Sequence, residues 1–176
     1  LGNLQVAINL SPKQFSDPDL VGSIAAILEE EHLPPELLEL ELTEGLLLEA
    51  TDGTRSQLNA LKQLGLTLAM DDFGTGYSSL SYLKKFPIDV IKIDRSFIKD
   101  IPENEDDMEI TSAVIAMAHN LKLKVVAEGV ETQAQLAFLR RHHCDIGQGY
   151  LFDRPIPGRD LVESLKRYPR RPAARR

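Results

Sequence analysis

"LTLAMDDFGTGYSSL", residues 66–80, decides how this chain is read. Leu66 to Phe73 is a short, apolar, β-forming run, and the glycine-rich turn from Gly74 to Gly76 ends it as a strand. Two adjacent carboxylates, Asp71 and Asp72, stand at the C-terminal end of that strand. Adjacent side chains on a strand point to opposite faces, so both acids reach one site only where the strand stops. The turn is read here as that stop. The hydroxyls of Tyr77, Ser78 and Ser79 follow it.

The same unit recurs on both sides. Strands are read at 4–11, 37–44, 66–73, 89–95, 124–130 and 146–152. Helices are read between them: one with Leu20, Ile24, Ile27 and Leu28 on its apolar face, then 54–64, 78–85, 107–121, 132–142 and 159–167. Six strand–helix units with short connections predict an α/β fold with a parallel sheet wrapped by helices. An open doubly wound sheet and a (β/α)8 TIM-like barrel both fit. Polar groups capable of chemistry end every strand: Asn9 and Ser11, Glu41 and Glu44, Asp71 and Asp72, Lys92 and Asp94, Glu128, and Gln148. A barrel gathers all those ends around one site, whereas an open sheet scatters some of them, and this favours the barrel.

Bulk composition narrows the chemistry. The 176 residues carry a net charge of −7, and four arginines lie in the last eight positions, "PRRPAARR". Subtracting those four from the 20 basic residues leaves 16 against 27 acidic ones, or −11, a body that does not attract nucleic acid by bulk charge. A phosphate ester would need metal ions or backbone N–H groups to bind here. Residues 1–168 are expected to form the domain and 169–176 a basic, disordered tail. No apolar run reaches the ~20 residues of a membrane span. The single cysteine, Cys144, excludes an internal disulfide and fits a reducing cytosol, so a cytoplasmic domain without membrane contact is expected.

Asn9, Glu41, Asp71 and Asp72 are hard oxygen donors, suited to Mg2+, Mn2+ or Ca2+. Two such ions form a clamp for displacement at phosphorus. Lys92, in the apolar run "VIKID", is costly to bury without a partner, and is read as holding a phosphate oxygen or the attacking water. Glu128 is read as a general base or a further ligand. The loop glycines, Gly74 and Gly76, bring backbone N–H groups to a ligand or let the loop move. Tyr150 and Phe152, just past Gln148, are candidates for stacking on a base. His142, His143 and Cys144 lack metal-site spacing and are read as surface and packing residues.

The motifs "NLSPKQF", "ELTE", "DDFGTGYSSL", "VIKIDRSFI", "AEGVET" and "IGQGYLFDRPIP" occur here in the order and spacing of the EAL domain family, which the chain resembles up to about residue 166. That family comprises bacterial second-messenger phosphodiesterases that linearise cyclic di-GMP to pGpG on a modified (β/α)8 barrel with one antiparallel strand. The resemblance implies Asn9, Glu41, Asp71 and Asp72 as ligands of two Mg2+ or Mn2+ ions, with Asp71 bridging. It implies Lys92, Glu128 and Gln148 as catalytic residues, Glu44 as the loop anchor and Glu131 as a support. Gly74, Gly76, Ser78, Tyr150 and Phe152 would face the substrate. It further implies a homodimer and upstream sensory or GGDEF-type domains, and it leaves room for a membrane anchor in a missing segment of the parent chain.

The Glu-Ala-Leu motif that names the family is absent, as are two strand–helix units of the eight. The chain is therefore expected to be an N-terminally truncated, incomplete barrel, impaired as an enzyme. The alternative function is a non-catalytic cyclic di-GMP receptor or a dimerisation module. "DDFG" also resembles the Asp-Phe-Gly of protein kinases, but the other kinase motifs are missing.

Overall fold

The structure is a computed structural model and describes residues 4–48, 52–76, 83 and 85–166. Outside the segment between β3 and β4, its elements alternate as expected. In chain order they are β1 (Val6–Asn9), α1 (Pro12–Phe15), α2 (Leu20–Glu30), β2 (Leu38–Thr43), α3 (Glu44–Leu48), α4 (Asp52–Gln63), β3 (Thr67–Phe73), β4 (Val90–Ile93), α5 (Glu105–Asn120), β5 (Lys124–Ala127), α6 (Gln133–Arg141), β6 (Ile146–Gly147) and α7 (Gly158–Leu165). Short 3-10 turns at Pro35–Leu37 and Arg95–Phe97 precede β2 and follow β4. The expected helix at 78–85 and tail at 169–176 lie outside the described residues, apart from Leu83 and Lys85.

All six strands pair in parallel, in the order β1-β2-β3-β4-β5-β6. A doubly wound sheet reverses its strand order at a switch point, and this one never does. The fold is therefore an incomplete TIM-like barrel of six parallel strands, with a described helix after every strand except β3. Its edges are β1 and β6, which do not pair with each other among the described residues. The antiparallel strand implied by the resemblance is not among those described.

The alternation of side chains along each strand explains the layers. Leu40 and Leu42 of β2, Leu68 and Met70 of β3, Ile91 and Ile93 of β4, and Val125 and Ala127 of β5 face outward into one large core beneath the helices. The residues between them face the concave side. Low on that side, Ala69, Val90 and Val126 make a separate small apolar cluster. Above it the charged groups begin. The sheet thins at its edges: Val6 and Ile8 of β1 and Ile146 of β6 each keep about half their surface exposed. β6 is only two residues long, not the seven expected. Just beyond it, the Gly149 backbone lies so close to Val130 that a Cβ would sit 2.3 Å from the Val130 nitrogen.

Candidate metal centre

The concave face places one ammonium among acids from three other strands. Lys92 of β4 is 3% exposed. Its Nζ lies 2.7 Å from Glu41 Oε1 (β2), 3.1 Å from Asp71 Oδ1 (β3) and 2.7 Å from Glu128 Oε1, just past β5. Adjacent strands stand ~4.8 Å apart, so contacts spanning β2 to β5 require the sheet to curl around the lysine. Burial alone would push the Lys92 ammonium down. Hydrogen bonds to Glu128 and Glu41, with the charges of Glu128 and Asp71, outweigh burial and hold it above its usual range. This settles why "VIKID" tolerates a lysine.

Asp71 and Asp72 reach the same site, but not because the strand stops. β3 continues through Phe73. Its pairing with β4 steps from Met70↔Ile91 to Phe73↔Ile93, three residues against two. Asp72 absorbs the extra residue with φ +56°, in the left-handed region that non-glycine residues rarely adopt. The bulge returns Phe73 to the outer core, where it is 5% exposed. It also brings ligand oxygens of Asp71, Asp72 and Glu128 within 4.8 Å of one another. The expectation that the turn releases the pair is thus corrected: a bulge inside the strand does so.

Charge balance tests whether these residues fit a cation. One lysine faces four carboxylates. The Asp71 Oδ1 atom is fully buried and accepts no hydrogen bond, although the ammonium is 3.1 Å away. A buried anionic oxygen needs a donor or counter-charge, and the one ammonium near it is shared with Glu41 and Glu128. Burial, with repulsion from Asp71 and Asp94, raises the Asp72 carboxyl above its usual range. Burial likewise raises Glu128, against the lowering by Lys92. Every one of these departures would be relieved by positive charge. The residues fit a hard divalent cation.

The other expected site residues fall around this centre. Asn9 is exposed on β1, in register with Glu41 and on the same face. Glu44 is 4% exposed at the start of α3, and its Oε2 accepts the Gly74 N–H at 3.2 Å. A Cβ on Gly76 would lie 3.0 Å from Glu44 Oε1, so the loop closes tightly over this carboxylate. The Gly74 amide is therefore engaged by Glu44. Gln148 is exposed, and its backbone joins Ala127 and Val130. Tyr150 is exposed, with the Arg154 guanidinium 4.8 Å from its ring centre, and Phe152 leans on Gly147. Ser78 lies outside the described residues. Of the three residues read as surface and packing, His142 packs on Phe138 with ring centres 4.4 Å apart, and burial pushes the Cys144 thiol up to about 11.

Three residues were not singled out from the sequence. Arg95 pairs with Glu131 at 2.9 Å and lies across Gly129, where a Cβ would sit 2.3 Å from Arg95 Cγ. Phe97 packs on Gly74, 2.8 Å from where a Cβ would be. Gln135 is buried between two loops. The spacing Thr132-x-x-Gln135 was a visible capping signal for it. Nothing local signals the first two.

Comparison with known proteins places this geometry. The family model described as EAL domain matches residues 1–155. The cyclic di-GMP phosphodiesterase NbdA of Pseudomonas aeruginosa is 52% identical over 165 residues, 94% of this chain and 21% of NbdA. The solved structure titled PaMucR phosphodiesterase, c-di-GMP complex, superposes with a TM-score of 0.85 at 44% identity, covering 89% of this chain and 64% of that one. BlrP1 of Klebsiella pneumoniae, in a manganese and cy-diGMP complex, gives 0.81 at 39% identity, over 88% of this chain and 40% of that one, and it is also known in a calcium complex. The chain thus spans about a fifth of the length of NbdA.

Proposed function

The chain belongs to the EAL domain family, and from that premise we propose that its site hydrolyses one phosphodiester bond of cyclic di-GMP to give linear pGpG. The observation that carries this reading is the buried, undonated Asp71 Oδ1 at the focus of four carboxylates and one lysine. Asn9, Glu41, Asp71 and Asp72 would hold two Mn2+ or Mg2+ ions, with Glu128 close enough to act at the same centre. Such ions would supply charge stabilisation for an in-line displacement at phosphorus and a more acidic water.

The protein's own groups then have separate tasks. Lys92, fixed by Glu41 and Glu128, orients a non-bridging phosphate oxygen or the water. Glu128, raised by burial, receives the proton that the water gives up. Gln148 directs the water from the β6 side. Glu44 holds the 74–76 turn as a wall of the site. Tyr150 and Phe152 offer exposed rings to a guanine. A homodimer, upstream sensory or GGDEF-type domains and a cytoplasmic location are carried over from the family resemblance.

Incubation with cyclic di-GMP and Mn2+ or Mg2+, beside an Asp71→Ala control, tests the reading. Metal-dependent pGpG that disappears in the control supports it. Cyclic di-GMP binding with no product, both in this chain and in one extended upstream by the two missing strand–helix units, would assign the site to the receptor class instead.

A further inference from the structure

Gln135 uses its whole side chain on two loops. It is 3% exposed. Its Nε2 donates to the carbonyls of Ile98 and Lys99, each at 3.1 Å, in the segment that follows β4. Its Oε1 accepts from the N–H groups of Glu131 at 2.7 Å and Thr132 at 2.9 Å, in the segment that follows β5. An amide has two donors on one side and two acceptor lone pairs on the other, and all four are engaged. Methionine, of similar length, would remove all four bonds, stripping the Lys99 carbonyl and the two N–H groups of this partner while Ile98 O keeps the Ile101 N–H at 3.2 Å. Glutamate would keep an acceptor for 131–132 and turn an acceptor toward the carbonyls of 98–99.

These two segments extend the strands that carry Lys92 and Glu128, which meet at 2.7 Å. Glu128 is otherwise held by its own N–H on Ile93 O at 3.1 Å, and the next tie is Val130 N–H on Gln148 O at 3.0 Å. Beyond these, the loop bears on β4 through the Arg95–Glu131 pair, whose partners are 59% and 41% exposed and so weakly constraining. Beyond the β4–β5 ladder, which ends at Ile93↔Ala127, the buried, fully bonded side-chain tie among the described residues is Gln135. We propose that Gln135 is a positioning residue: it sets the separation between the Lys92 and Glu128 strand ends, and through it the affinity of the acidic centre for divalent cations. This rests on the metal reading given under the proposed function.

The experiment is Mn2+ titration by calorimetry of the unaltered chain, Gln135→Met, Gln135→Glu and Ile115→Val, the last a core change of α5 that supplies a destabilised control. Supporting groups behind a metal centre typically cost ~10-fold or more in metal affinity when removed. The expected result is Mn2+ binding roughly 10-fold weaker in folded Gln135→Glu, and in Gln135→Met where it folds, with Ile115→Val unchanged. Retained affinity in the Gln135 variants beside a binding parent would overturn this inference alone, leaving Gln135 a stabilising residue. Absence of Mn2+ binding in the unaltered chain would overturn the metal reading and this inference with it.

Discussion

Lys92 Nζ and Glu128 Oε1 stand 2.7 Å apart across β4 and the end of β5, and the same ammonium reaches Glu41 at an equal distance on its other side. One cation therefore holds together carboxylates that would otherwise repel. Its removal has two separable consequences.

Lys92→Met leaves the acids uncompensated. In metal-free protein the loss of stability should be about 3 kcal/mol, the scale for breaking a buried ion pair from one side. Because the ammonium and bound cations repel, Mn2+ should stabilise Lys92→Met more than the unaltered protein. Thermal unfolding with and without Mn2+ reads both effects. Turnover of cyclic di-GMP should fall at least ~100-fold.

Asp72→Gly separates the backbone from the ligand at this position. Glycine adopts φ +56° without a Cβ penalty, and the change also removes a carboxylate raised by burial and by Asp71. The metal-free variant should be at least as stable as the unaltered protein while binding Mn2+ ~10-fold or more weakly. Lower stability would show that Asp72 is not strained in the metal-free state.

Gly74→Ala puts a Cβ at φ +99°, 2.8 Å from the Phe97 ring. About 1–3 kcal/mol of stability should be lost. The segment held by Glu44 should open, seen as faster hydrogen exchange at the Gly74 amide position. In a Phe97→Ala background, Gly74→Ala should cost less than it does in the unaltered protein, a coupling read by a double-mutant cycle.

The pH dependence of metal-free stability has a definite sign. Burial raises Glu39, Asp72 and Glu128 above their usual carboxylate range, so each binds its proton more tightly folded than unfolded. Their contribution is full below the unfolded pKa and is lost as pH rises through the folded one. Asp94 is lowered by its bonds to Ser96 and to backbone N–H groups, which outweigh burial, so its contribution is lost only as pH falls below the usual aspartate range. In EDTA the melting temperature should therefore rise as pH is lowered from 7 toward 5. Mn2+ should flatten or reverse that slope, because it favours the ionised forms of Asp72 and Glu128.

The strand–helix alternation was legible because each strand is a short β-forming run with a polar end, and the motif residues sit at those ends. The bulge was not. Whether Asp71 and Asp72 share a face depends on how β3 pairs with β4, and nothing in "AMDDFG" records that register. Gln135 was legible as a helix cap, but its bonds to Ile98 and Lys99 join residues 37 and 36 positions away. The length of β6 was misread: it stops after two residues, and the chain beyond it packs Gly149 against the Val130 backbone of the loop after β5, a long-range contact that no local pattern records.

The central claim is that the acidic centre around Lys92 is a divalent-cation site with Asp71 at its focus. Electron paramagnetic resonance of Mn2+ added to the unaltered chain and to Asp71→Asn tests it most directly, since free and bound Mn2+ give different spectra. The account predicts bound Mn2+ in the unaltered chain, released by EDTA, and binding at least ~10-fold weaker in Asp71→Asn. Equal binding in the two proteins, or none in the unaltered chain, would contradict it.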